Sequence, residues 1–311
     1  MSTTITHVGI DVAKESLSWS FAGELHTTEF TRSAMIKMAR LLAKRGMTTH
    51  WICEASGGYE RDLLEFCWSQ CLSVSLVNAE RVRYHARAAG RLAKTDPIDA
   101  RVIADFARAH QPEPTPAPTP EQRRLQELAR SRQTLLEHNQ QLKNRMEMLR
   151  EPDVIKIYAR LVRDGAKALA VLDQRISELV ASQEAWIRKS DRMQQVKGVG
   201  ALTANQLLAF LPELGSLRDT EVAALTGLAP YDSQSGQTAG NKSIRGGRFY
   251  ARKTLYMAAV TGTRHNPILK AFYLRLRKAG KPAKVALVAV MRKLVVLLNR
   301  LLKNPDFVLA H

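Results

Sequence analysis

Four carboxylates stand where their chemistry would depend on being brought together. Asp11 ends a strand-like run in Gly9-Ile-Asp-Val-Ala-Lys14, and Glu54 ends another in Cys53-Glu-Ala-Ser-Gly-Gly-Tyr59. Asp96 and Asp99 open a helix-like stretch in Lys94-Thr-Asp-Pro-Ile-Asp-Ala-Arg101. Their spacing of three puts them on one helical face. In an α/β sheet the residues at strand ends converge on one edge, and four carboxylates in one place cannot all be ionised without cations. Hard oxygen ligands select Mg²⁺ or Mn²⁺, and two such ions about 3.5–4 Å apart clamp a phosphodiester for in-line displacement. Each acid has a plainer alternative. Asp96 can be a helix N-cap with Pro97 at the first helical position and Asp99 at the third, and Asp11 can be a turn residue. The combination favours metal, because strand-terminal acids beside a core are costly unless paired.

Two further segments carry residues suited to phosphate. Gly227-Leu-Ala-Pro-Tyr-Asp-Ser-Gln-Ser-Gly236 runs on through Gly240-Asn-Lys-Ser243 to Arg245-Gly-Gly-Arg248. Glycines let backbone approach closely, and Arg245 and Arg248 can take phosphate bidentately. The alternative is a turn-rich hairpin. It is not a Walker A loop, since a residue is inserted before Lys242 and no apolar strand leads in. Val196-Lys-Gly-Val-Gly200 lacks the third glycine of a dinucleotide fingerprint, with Thr203 in its place. Its context is that of a helix-hairpin-helix, in which Lys197, Gly198 and Gly200 would present backbone N–H groups to phosphate at a helix start. An ordinary tight helix–helix turn is the alternative.

The elements that must position these residues follow from periodicity. Strands are expected at 4–12, 15–21, 25–30, 49–54 and 72–77, and helices at 33–46, 59–70, 79–88 and 97–110. A three-strand meander followed by alternating helix and strand is an α/β layer pattern. The proline-rich stretch 111–120 reads as an extended linker and boundary. Helices at 121–150 and 154–188 each carry one apolar stripe, the first through Leu125, Leu128, Leu135, Leu136, Leu142, Met146 and Leu149. They form either a helical hairpin or, as expected here, a coiled-coil dimerisation arm. The domains expected are 1–112, 113–190 and 191–311, the last mostly α-helical.

The formal net charge is +18, and residues 191–311 carry +13 of it against +2 for residues 1–110. A polyanionic partner is implied, DNA or RNA alike, mainly at the C-terminal end. No apolar run of about 18 residues exists to span a membrane, and the N-terminus has no secretory pattern. Cys53, Cys67 and Cys71 are too few and too isolated for a disulfide framework and suit a reducing cytosol. Cys67 and Cys71, four apart on an expected helix, read as buried small hydrophobes and not as a zinc site. The eight histidines show no HExxH or HxxxH spacing.

Together these phrases resemble the DEDD transposases of the insertion sequence 110 type, over essentially the whole chain. The resemblance implies a RuvC-like (RNase H fold) N-terminal domain in which Asp11, Glu54, Asp96 and Asp99 are catalytic metal ligands for Mg²⁺ or Mn²⁺. Glu60, after the Gly-Gly turn, is expected to be a solvated helix residue. The family's C-terminal transposase-20 domain carries a Leu-x-Pro-x-x-x-x-Ser-Gly stretch whose serine is the nucleophile. Leu228, Pro230, Ser235 and Gly236 fit that register, so the resemblance assigns the role to Ser235 and not to Ser233 or Ser243. It further implies a DNA transposase or recombinase working through a phosphoserine, guided by a structured noncoding RNA and assembled as a dimer or tetramer. Its place would be the cytoplasm of a prokaryotic cell, at the nucleoid. The competing expectations are a hydrolytic Holliday-junction endonuclease using the same carboxylates, and a catalytically silent nucleic-acid-binding protein.

Overall fold

The computed structural model describes residues 5–91, 96–231, 234–235, 238–239 and 243–309, with backbone alone at 96–98, 234–235 and 238–239. The chain divides into two compact units, Met1–Pro118 and Thr119–His311.

The first unit is built on a five-stranded mixed sheet. Its strands are β1 (Ile5–Val12), β2 (Ser16–Phe21), β3 (Glu24–Glu29), β4 (Thr48–Glu54) and β5 (Ser73–Val77), in the order β3-β2-β1-β4-β5. The meander β1-β2-β3 is antiparallel, whereas β1, β4 and β5 run parallel. Helices α1 (Arg32–Lys44) and α2 (Glu60–Ser69) supply the crossovers into β4 and β5, and α3 (Ala79–Ala88) and α4 (Asp96–His110) follow. The sheet is buried on both faces, and each face has its own core. Ile10, Trp51 and Cys53 pack with Met38, Leu42, Leu63 and Cys67 on one side, and Ile52 and Val77 pack with Val102, Ile103 and Phe106 of α4 on the other. Burying about 25 cal/mol per Å² of apolar surface on both faces makes this sheet the rigid part of the unit.

The proline-rich stretch is more than a linker. Thr115 donates its N–H to the Val74 carbonyl at 2.8 Å and accepts from the Leu76 N–H through Oγ1 at 2.9 Å, while Trp68 Nε1 donates to the Thr115 carbonyl at 3.0 Å. Ser75 Oγ donates to the Glu113 carbonyl at 2.6 Å. The segment thereby covers the otherwise open edge of β5, which is why the unit extends to Pro118. Cys71 also departs from expectation. Cys67 is buried, but Cys71 is exposed and lies beyond the end of α2 at φ +53°. Leu72 N–H donates to the Cys67 carbonyl and Cys71 N–H to the Trp68 carbonyl, a Schellman stop with cysteine in glycine's usual place.

Among its described residues the second unit is helical apart from two short ladders. α5 (Pro120–Met146) and α6 (Pro152–Ala181) form an antiparallel hairpin, α7 (Glu184–Gln194) and α8 (Ala201–Phe210) form a helix–turn–helix, and α9 (Asp219–Leu225) follows. The expected helix 154–188 is broken at Ser182 and Gln183, where Ser182 Oγ donates to the Leu179 carbonyl and α7 starts afresh. After the ladders come α10 (Phe249–His265), α11 (Pro267–Lys278) and α12 (Ala283–Lys303). The base of the hairpin, Leu125, Ala129, Ile176, Leu179 and Val180, belongs to the same core as α8, α10 and α12. That shared core is why residues 113–190 do not separate as a domain of their own. Farther along, Lys253 of α10 reaches Glu137 of α5, while Leu136, Ile157, Leu161 and Val171 are exposed. No helix among the described residues is long and apolar enough to cross a membrane.

Candidate functional site

The carboxylates of the first unit are placed by strand register. Ile10 of β1 pairs with Cys53 of β4, so Asp11 and Glu54 stand one step farther along neighbouring parallel strands. Side chains alternate along a strand, so Asp11 shares a face with Gly9 and Glu54 shares one with Ile52. Both lie on the α4 side. The approach of α4 is unusually close there: a Cβ on Gly9 would sit 2.3 Å from the Ala100 carbonyl oxygen and 2.3 Å from the Ala104 nitrogen. Asp99 immediately precedes Ala100. Asp11, Glu54 and Asp99 are all half-buried. Asp96 opens α4, but its side chain lies outside the described residues.

The backbone thus brings three of the four acids to one end of one sheet face. Among the described residues no three acidic, histidine or cysteine side chains converge tightly enough to hold an ion. The donor chemistry nevertheless fits a hard divalent cation: all the candidates are carboxylates, and the neighbouring sulfur is inert. Burial, then the nearby Cys67, Glu60 and Glu54, push the Cys53 thiol well above its ordinary value, and burial pushes Cys67 up to about 12. Neither thiol supplies a thiolate at neutral pH.

Glu60 is not solvated. It is buried, and its Oε2 accepts from the Ser56 N–H at 3.0 Å, Ser56 Oγ at 3.1 Å and the Gly58 N–H at 2.8 Å. Burial raises its carboxyl, but hydrogen bonds from backbone N–H groups and Ser56 outweigh this and hold it below the usual range. Glu60 therefore ties down the turn after Glu54, in which Gly57 and Gly58 have φ of +78° and +119°. The signal was present in the sequence: an acid at the first helical position, four residues after a serine, is placed to take free N–H groups at a helix start.

In the second unit the expected hairpin alternative is what forms. β6 (Pro230–Tyr231) pairs with β9 (Ser243–Ile244), and nested within it β7 (Gln234–Ser235) pairs with β8 (Thr238–Ala239). Ser235 pairs with Thr238, and its side chain lies outside the described residues, as do Gly240, Asn241 and Lys242 entirely. The neck of this structure is closed by glycine on glycine. A Cβ on Gly247 would lie 2.1 Å from the Gly227 nitrogen, and Gly227 itself has φ +65°. Glycine here serves backbone packing.

The two arginines differ. Arg245 is exposed, with its guanidinium 6.0 Å from the centre of the Tyr231 ring. Arg248, expected to bind nucleic acid, is instead committed inside the unit. Its Nη1 and Nη2 donate to the two oxygens of Glu213, each at 2.6 Å, and Nη1 also donates to the Phe210 carbonyl at 3.1 Å. Burial raises the Glu213 carboxyl, but Arg248 and, more weakly, Lys189 hold it below its ordinary value. Arg248 anchors the hairpin's end to the turn after α8.

The turn between α7 and α8 places Gly198 at φ +106°, where a Cβ would meet the Gly262 Cα of α10 at 2.7 Å. Close helix contact therefore already requires this glycine. Asn266 Nδ2 donates to the Lys197 carbonyl at 3.3 Å. Gly200 caps α8 with no side-chain hydrogen bond and open space around it, and Ala201 and Leu202 are exposed. Of the three expected residues, Gly200 lies at the open helix start and Gly198 in a packed turn.

Comparison with known proteins bears on the whole chain. Residues 8–150 match a family described as "Transposase" with a DEDD carboxylate set, and residues 190–274 match one described as "Transposase IS116/IS110/IS902 family". The pilin gene-inverting protein of Moraxella bovis is 27% identical over 310 residues, covering 94% of each chain, and that of Moraxella lacunata is 26% identical over the same length. An uncharacterised protein of insertion element IS116 from Streptomyces clavuligerus is 28% identical over 151 residues, covering 47% of this chain and 38% of its own.

Proposed function

The chain belongs to the IS116/IS110/IS902 transposase family and is a DNA-recombining enzyme, and we propose that it cuts and rejoins DNA through Ser235 with the help of divalent metal held by Asp11, Glu54, Asp96 and Asp99. The observation that carries this reading is the register that sets Asp11 beside Glu54 on the face covered by α4, whose first turn bears the other two acids. The sheet order, a meander joined to two parallel strands, supports a RuvC-like, RNase H-type domain.

The chemistry balances without a co-substrate. Ser235 Oγ loses its proton and attacks phosphorus, the P–O3′ bond breaks, and the leaving 3′ oxygen takes a proton. A 5′-phosphoserine ester and a free 3′-hydroxyl result. Attack by another 3′-hydroxyl releases the serine, so ester-bond energy is conserved and no ATP is consumed. A divalent cation supplies charge neutralisation at the phosphate and eases ionisation of the hydroxyl. Mg²⁺ or Mn²⁺ fits an all-carboxylate donor set. Glu60 holds the turn after Glu54, which fixes the direction of that ligand.

The remaining elements have assigned roles in this proposal. Arg245, Lys197 and the open start of α8 at Gly200 take phosphates. The hairpin of α5 and α6 assembles a dimer or tetramer, supported by the exposed Leu136, Ile157 and Leu161 along its outer part. A structured RNA encoded with the element guides target choice, and the basic second unit is compatible with it. Sequencing the RNA that co-purifies from cells carrying the flanking DNA tests that part. The test of the core proposal is adduct trapping on a denaturing gel. Wild type is expected to retain labelled DNA through a blocked 5′ end, and Ser235→Ala is expected to retain none. Cleaved DNA with a free 5′-phosphate and no adduct would instead indicate hydrolysis.

A further inference from the structure

An open cleft of about 510 Å³ lies between α9, α11, α12 and the C-terminal Phe307. Its floor is apolar, formed by Phe272, Val296, Leu297 and Phe307, and its rim carries Arg292, Lys293 and Arg300. The size is in the range of clefts that take a small planar group. The cleft's one carboxylate, Asp219, is already engaged by the Arg300 guanidinium. The Phe272 ring has two cations against it, Lys293 Nζ at 4.7 Å and the Arg275 guanidinium at 5.2 Å from its centre. From Ser233 to Pro305 the chain has sixteen basic residues and not one acidic residue.

This combination selects among polyanions. A duplex offers phosphates, but its bases are stacked away and leave nothing for an apolar floor. An unpaired strand offers both, an aromatic face for Phe272 and phosphates for the rim. Exchanging strands one at a time exposes unpaired DNA, and in this respect the inference rests on the recombination proposed above. We infer that the α9–α11–α12 cleft is a binding site for single-stranded DNA, in which Lys293 leaves the Phe272 ring for a flanking phosphate, Arg292 takes another, and a base seats on the Phe272 and Phe307 floor. The inference does not depend on Ser235, since the site lies in a separate part of the second unit's sequence and involves no bond breaking.

Fluorescence anisotropy with the full chain tests it, using labelled 20-nucleotide oligothymidine, an abasic strand of equal length, and a 20-base-pair duplex at one salt concentration. The expected result is about tenfold tighter binding of oligothymidine than of the abasic strand, the scale of one base–aromatic stack. Phe272→Leu keeps apolar volume and is expected to erase that difference while leaving duplex binding unchanged. The pair Arg292→Glu and Lys293→Glu is expected to weaken both single strands and to flatten their salt dependence. Should Phe272→Leu fail to fold, photo-crosslinking of wild type with 4-thiothymidine replaces it, with crosslinks expected in 267–278 or 304–309. Equal affinity for oligothymidine and the abasic strand would overturn the inference, as would crosslinks confined to other segments. Tighter binding of oligouridine, or binding only to anionic lipid vesicles, would overturn the assignment to DNA.

Discussion

The carboxylate edge of the first unit and the serine hairpin of the second hold their candidate groups by opposite means. Asp11 and Glu54 ride on adjacent strands buried on both faces, with α4 pressed against Gly9 so closely that no side chain fits. Ser235 rides on a ladder of two residues, anchored at its neck by the Gly227–Gly247 contact and by Arg248 on Glu213. One region is fixed by a core and the other by its ends. That difference suits an arrangement in which metal ligands must keep sub-ångström geometry while a nucleophile must travel with the strand it joins. The same difference predicts how each region breaks.

The largest effects belong to the groups proposed as nucleophile and metal ligand. Ser235→Ala and Asp11→Asn are each expected to lower strand transfer at least about 10³-fold. They should separate in calorimetry with Mn²⁺, which Ser235→Ala binds as wild type does and Asp11→Asn binds weakly or not at all. Next comes Gly9→Val, which forces a branched side chain into the α4 backbone. Thermal melting is expected to show a loss of about 3 kcal/mol, whereas a loss under about 0.5 kcal/mol would mean that α4 is not locked onto β1.

Smaller effects sharpen the contrast within the hairpin. Arg248→Ala breaks a bidentate pair that is about two-fifths exposed, so a stability loss of only about 1 kcal/mol is expected after allowance for solvent screening. Arg245→Ala is expected to lower DNA affinity, with one phosphate contact fewer in the salt slope. Acid titration adds a signed prediction. Glu60 and Glu213 both have carboxyls held below their ordinary range in the folded chain. Their contribution is fully present above the unfolded carboxylate pKa and is lost as pH falls through the folded values. Glu213→Gln is expected to lower stability at neutral pH and to flatten the acid limb of a stability–pH curve. Glu60→Gln should do the same and also weaken Mn²⁺ binding several-fold.

Much of the first unit was legible in the sequence because alternation and helix spacing are local signals. All five strands fall within a residue of expectation, and the placement of Asp11 and Glu54 follows from them. What was not legible depended on distant partners. Glu60 is the exception, since its partners Ser56 and Gly58 are local and its position at a helix start was a readable signal. Arg248 reads as a phosphate ligand until Glu213, 35 residues earlier, is found beside it. Cys71 reads as helical because nothing local says that a non-glycine residue will take the left-handed stop. The proline-rich stretch reads as free because its partner strand, β5, lies about 40 residues upstream. The apolar stripes of α5 and α6 are compatible with an intramolecular hairpin and with a coiled-coil arm. The fold supplies the intramolecular one, and the exposed stripe is what the assembly proposal uses.

The most direct measurement is mass spectrometry of the peptide containing Ser235 after reaction with a nicked, 3′-labelled DNA substrate, with Mg²⁺ or with chelator. The account predicts a phosphonucleotide mass on Ser235 that requires metal and disappears in both Ser235→Ala and Asp11→Asn. An adduct that persists in Ser235→Ala, or cut DNA that never carries protein, would contradict it.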